Sequence, residues 1–228
     1  MAWGWQLWLS PRPLRRTKTP AQPRMPSVGD AALYEFNYEE NGRFVVRETH
    51  YADNPAVKAG LSGPPLPVRH IHLRQTEFFE VEKGTLVIVK NEQEHVLTQD
   101  DGVAVIPPGT RHRFWAHPSN TDDLVFKVWA EPSGVDRGFD ENYLRNALGY
   151  LRDCHRERLE PSVFQLALLG CMSDTVLTPP FWMPIWLLKL AHHVVAYWIA
   201  APLLGYQASY PEYSRSSEED PHMAKKSS

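Results

Sequence analysis

Four residues near the middle of the chain carry metal-binding side chains at a spacing that two adjacent hairpins can fold around one ion: His70, His72, Glu77 and His112. His70 and His72 are two apart, which in a strand puts both imidazoles on one face. Glu77 opens a β-prone run, 77–82, on which Glu77, Phe79 and Val81 share a face. An uncompensated carboxylate on such an apolar face is costly, and a metal ion is one way to compensate it. A Pro-Gly turn over 107–110 delivers His112 onto a further strand, with Phe114 pointing the same way. Three neutral imidazoles and one carboxylate suit a first-row transition metal and leave coordination positions open for substrate or dioxygen.

The two segments resemble the paired motifs of the cupin superfamily. The first, His70-x-His72, four residues, Glu77, six residues, Gly84, agrees at each ligand position and at the closing glycine. The second, Gly102, four residues, Pro107-x-Gly109, two residues, His112, agrees up to a final asparagine, which is not a ligand and is replaced by Ala116. The resemblance implies a mainly β fold, a single antiparallel cupin β-barrel (double-stranded β-helix or jelly roll). It also implies one divalent transition metal on His70, His72, Glu77 and His112. Iron suits an oxidative reaction, with Mn, Zn and Ni as alternatives.

Strands over 68–73, 77–82, 85–90, 94–98, 103–106, 111–116 and 124–130 must position these residues. They are short and punctuated by turns, the pattern of an all-β barrel or sandwich. Upstream, Asn41-Gly42 between two β-prone runs marks a hairpin over 34–49. The loop 52–66, rich in Gly and Pro, belongs at the barrel mouth. Phe79, Val81, Leu86, Ile88, Val105, Phe114, Phe126 and Val128 are the expected inward positions, an apolar lining suited to a hydrophobic small-molecule substrate. Arg69, Arg111 and Arg113 alternate with the ligands and point away, and His95 and His117 read as surface residues.

Beyond residue 132 the hydrophobic period changes from two to about 3.6. Phe139, Tyr143, Ala147, Tyr150, Leu151 and Cys154 make one helical face, and a second helix is expected over 162–172. Residues 175–206 are the most hydrophobic stretch, broken early by Pro179, Pro180 and Pro184 and carrying Lys189, His192 and His193 as a polar stripe. They suit packing on the barrel or in a homodimer, with peripheral membrane association and a transmembrane span as the alternatives. The expected division is a disordered N-terminal extension 1–30, the barrel 31–132, a helical, hydrophobic C-terminal extension 133–213 and a disordered tail 214–228. For the first 24 residues a targeting segment, or an extension ahead of a start at Met25, is the alternative reading.

With 228 residues, 43% of them hydrophobic, and a net charge of −3, nothing points to nucleic acid. Two cysteines, Cys154 and Cys171, are too few for a disulfide framework and fit a cytoplasmic location. A barrel followed by a Trp- and Pro-rich helical tail is similar to the small cupin-domain oxidoreductases of fungal polyketide gene clusters, including those of salicylaldehyde- and flavoglaucin-type compounds. That resemblance implies a metal-dependent oxidoreductase acting on a hydrophobic, polyketide-derived intermediate in secondary metabolism. An isomerase, dehydratase or cyclase on the same scaffold, or a cupin that binds a small molecule or partner without turnover, are the alternatives. No acid or base apart from the metal centre stands out.

Overall fold

Alternation of apolar and polar residues through the middle of the chain produces a succession of short antiparallel strands. In the computed structural model, which describes residues 3–20, 22–60, 68–179 and 182–214, these are β1 (Arg24–Pro26), β2 (Ala32–Tyr38), β3 (Phe44–His50), β4 (His70–His72), β5 (Thr76–Lys83) and β6 (Leu86–Lys90). They continue as β7 (Gln93–Leu97), β8 (Val103–Ile106), β9 (His112–Ala116) and β10 (Leu124–Glu131), with a last short strand, β11 (Thr175–Leu177). One sheet runs β1-β2-β3-β10-β5-β8 and the other β11-β4-β9-β6-β7. Pro23–Ser133 and Leu177–Pro179 make one compact unit, and the other described residues make a second.

The inner faces of the two sheets meet through aromatic rings. Phe79 of β5 and Phe126 of β10 contact Phe114 of β9 with ring centroids 4.8 and 5.6 Å apart. Leu86, Ile88 and Val128 fill the space around them and are at most 1% exposed. Gly84 turns β5 into β6 at φ +82°, and a Cβ there would come within 3.1 Å of the Leu124 Cα. Only glycine meets both conditions without strain.

Val105, expected inside, is 43% exposed. Register explains it. β8 pairs with β5 so that Phe79 lies opposite Ala104 and Glu77 opposite Ile106, which puts Val103 and Val105 on the outer face of an edge strand. Of the loop over 52–66, residues 55–58 form the short helix α2 (Pro55–Lys58), capped by the Asn54 side chain accepting from the Ala56 amide, and residues 61–66 lie outside the described region.

The helical unit contains α1 (Gly4–Leu9), α3 (Glu141–Arg156), α4 (Val163–Met172) and α5 (Ile185–Val194), the last running into a π-helical turn, Val195–Ala200. Asp140 caps α3 by accepting from the Tyr143 amide, while Glu141 in the first turn and Arg156 in the last complement the helix dipole. Tyr150 and Cys154 of α3 pack with Leu169 of α4 and with Tyr210 and Tyr213.

The expectation of disorder over 1–30 does not describe the residues seen. Asp153 of α3 accepts from the Thr17 amide and hydroxyl at 2.8 and 2.6 Å, and Arg145 donates to the carbonyls of Thr19 and Gln22 at 3.0 and 2.6 Å. Residues 24–26 are a sheet strand, and Met25 is fully buried. A proline-rich segment has few amides for secondary structure, but buried side chains elsewhere in the unit bind its backbone instead. Of the tail expected over 214–228, Ser214 is buried and bonded to Asn146, and the rest lies outside the described residues.

Candidate metal centre

β4 carries His70 and His72, β5 begins one residue before Glu77, and β9 opens with His112. Pairing of β4 with β9 sets His70 directly opposite His112. The turn before β9 is tied to β4 as well, because the Gly109 amide, at φ +79°, donates to the His72 carbonyl at 2.8 Å. Between β4 and β5 the buried Gln75 side chain donates to the Pro132 carbonyl at 3.0 Å, which holds the bend ahead of Glu77. Strand pairing, the Gly109 amide and the Gln75 side chain thus help bring together four side chains, none more than 6% exposed.

Their ligand atoms all lie within 4.8 Å of one another. His70 Nε2 is 3.2 Å from His72 Nε2, His72 Nε2 is 3.4 Å from Glu77 Oε1, and His112 Nε2 is 2.8 Å from Glu77 Oε2. Atoms at right angles around a centre about 2.1 Å away would be separated by roughly 3 Å, so these spacings fit a single ion. The outer nitrogens are committed: His70 Nδ1 donates to the Val68 carbonyl at 2.7 Å and His112 Nδ1 to the Thr110 carbonyl at 3.0 Å. A carbonyl only accepts, so each ring is held as the Nδ1–H form with its Nε2 lone pair turned inward when neutral. Glu77 Oε2 and His112 Nε2, although close, are buried without a hydrogen bond of acceptable geometry. Such orphaned atoms facing one centre are what a cation would satisfy.

The electrostatics agree. Burial, together with the neighbouring His112 and His72, holds His70 well below the ordinary histidine value and so neutral. Burial works to raise the Glu77 carboxyl, but His72 and His112 overcome it and keep the group far below the usual carboxylate range. For His112 the Glu77 carboxylate outweighs burial and raises the ring's affinity for a proton.

His95 and His117 stand outside this cluster, His117 bonded to the Ser119 hydroxyl. Arg69 pairs with Glu92, and Arg113 lies over the Trp115 ring at 5.5 Å. Sequence reasoning missed a second buried polar pair. Glu48 and His50, two apart on β3, face the barrel interior, with Glu48 Oε2 3.0 Å from His50 Nε2 and the His50 ring edge-on to Phe126. His50 lines a pocket together with Tyr34, Ala32, Val57, Trp115 and Ala116, whose walls are largely apolar. None of the four clustered residues lines that pocket.

A Cupin domain model matches residues 57–130, the stretch that holds all four. "Probable oxidoreductase virH" of Hypocrea virens is 56% identical over 215 residues, covering 94% of this chain and 96% of its own length. "Oxidoreductase iacF" of Pestalotiopsis fici is 51% identical over 208 residues, covering 90% of this chain and 100% of its own. "Epoxidase atD" of Aspergillus terreus is 30% identical over 181 residues, 77% of this chain and 51% of its own. With the domain match spanning both ligand-bearing segments and these relatives aligned along most of its length, the chain belongs to the cupin superfamily, in the family of the Hypocrea virens and Pestalotiopsis fici proteins.

Proposed function

We propose that this protein is a metal-dependent oxidoreductase acting on a hydrophobic, polyketide-derived intermediate of fungal secondary metabolism in the cytoplasm. The observation that carries it is the convergence of His70, His72, Glu77 and His112 inside the barrel. The names of the two relatives aligned over nearly their full lengths support the reaction class. Iron, if held by His70, His72, Glu77 and His112, would supply redox chemistry with dioxygen and an enol or phenol. His70 and His112, anchored through their Nδ1 hydrogens to backbone carbonyls, present their Nε2 atoms toward the centre of the cluster. Glu77 contributes a negative charge that its surroundings keep ionised. The apolar barrel interior around the cluster, with Phe79, Ile88 and Phe114 buried, favours a substrate with little charge.

Metal analysis of the protein purified without added metal tests the proposal. About one equivalent of iron per chain is expected, lost in His70→Ala/His112→Ala with the far-ultraviolet circular dichroism unchanged. Zinc or nickel in its place would move the chemistry toward Lewis-acid catalysis. Turnover of a substrate that proceeds undiminished without dioxygen or another electron acceptor would overturn the oxidoreductase reading.

A further inference from the structure

Helix α5 and the π-helical turn that follows it are apolar on two opposite sides. On one, Ala196, Ala200 and Leu204 pack with Leu168 of α4 and Tyr206, and Leu188 is equally buried. On the other, two residues out of step and so about half a turn away, Trp186, Leu190, Val194 and Trp198 form an outward row 38–69% exposed. Trp182 ahead of the row is 76% exposed, and Leu203 behind it 54%. A repeat of four drifts about 40° per step round an α-helix. The wider turn of Val195–Ala200 works against that drift and keeps Trp198 in line.

The short helix α1 adjoins the same end, with the Gln6 Nε2 donating to the Leu203 carbonyl at 2.7 Å. Trp3, Trp5 and Trp8 remain 51–82% exposed. Six of the chain's eight tryptophans are therefore more than half exposed, and all six belong to the helical unit. Scattered apolar residues are normal on a surface, but large aromatic side chains gathered in one unit are not. Residues 3–20 and 182–206 contain no Asp or Glu, whereas Arg15, Lys18 and Lys189 on them are exposed cations.

A helix apolar on two opposite sides leaves one apolar face without a partner in its own unit, and a large exposed apolar patch marks a protein or membrane contact. Among the described residues no helix is long and apolar enough to cross a membrane. Tryptophan prefers the headgroup level of a bilayer, and a face with cations and no acids complements anionic headgroups. We infer that the tryptophan face of the helical unit seats this protein on an anionic lipid bilayer, with α5 lying in the plane of the interface. The charge pattern favours anionic lipid over a protein partner, because the exposed charge on 182–206 is the cation Lys189, while the acids beside the N-terminal segment, Glu157 and Glu212, are already engaged by the Leu14 and Arg15 amides and by Arg16. The inference is independent of the chemistry proposed for the metal centre.

Co-sedimentation of the full chain with vesicles of phosphatidylcholine, with or without phosphatidylserine, tests it, alongside intrinsic tryptophan emission. The wild type is expected to sediment with the phosphatidylserine vesicles, to shift its emission to shorter wavelength, and to release as salt is raised. Trp186→Gln/Trp198→Gln is expected to weaken partitioning about tenfold or more with circular dichroism and metal content unchanged. Lys189→Glu should weaken binding to the phosphatidylserine vesicles only. A wild type that sediments with neither vesicle, or equally with both, overturns the inference. So does a lipid-free wild-type dimer that Trp186→Gln/Trp198→Gln converts to monomer, since the face would then join two copies of the chain.

Discussion

At the scale of single residues, the four clustered side chains could be read from spacing because a strand fixes which positions share a face. His70-x-His72 needs nothing beyond period two to converge, and Pro107 to Gly109 announces the turn that returns His112 to the same place. Glu48 and His50 carry no comparable signal. Both faces of β3 are apolar in part, with Val45 and Val46 each at most 4% exposed, so alternation alone does not say which side the pair occupies. Burial raises the Glu48 carboxyl above its ordinary value of 4.5, and the hydrogen bond and charge of His50 oppose this only in part. A raised carboxyl stabilises the fold below its ordinary value and loses that contribution as pH climbs through the raised one. Thermal unfolding of Glu48→Gln, which keeps a hydrogen-bonding side chain, should therefore gain on the wild type as pH rises from about 4.5. Melting curves whose difference stays constant over that range would show that Glu48 titrates normally.

At the scale of elements, strand positions follow the sequence pattern closely, because turn chemistry at Asn41-Gly42, Gly84 and Gly109 brackets each run. Helices α3 and α4 were legible from periodicity too, yet their packing partners were not. Gly149 lies in mid-helix, where glycine is unfavourable by about 1 kcal/mol relative to alanine, and the reason is visible only in three dimensions. A Cβ at Gly149 would approach Tyr213 Cδ1 to 2.4 Å, and Tyr213 is fully buried with its hydroxyl on Asp153 at 2.7 Å. Gly149→Ala should destabilise the helical unit by about 1–3 kcal/mol despite the better helix propensity, read from its chemical denaturation midpoint. A gain in stability would mean that Tyr213 can move aside at no cost.

At the scale of the whole molecule, residues 3–22 are part of the helical unit, which bears on where a functional chain can begin. In a chain started at Met25, Arg145 would lose the carbonyl acceptors of Thr19 and Gln22, and Asp153 would lose both Thr17 donors. Each buried polar group left short of partners costs about 1–3 kcal/mol. Such a chain should show a lower melting temperature and faster amide exchange along α3 than the full chain, and equal values would make the segment dispensable. By itself the sequence determined the barrel, the strand order along the chain, the four converging side chains and the family, because these depend on alternation, turn residues and fixed ligand spacing, all local properties. Only the tertiary structure decided that the acid-free N-terminal segment bonds to α3 through Thr17, that Val105 faces out, that Glu48 and His50 lie inside, and that six tryptophans stay exposed. Each of these turns on which distant group lies opposite, a matter of register and packing that no local pattern encodes.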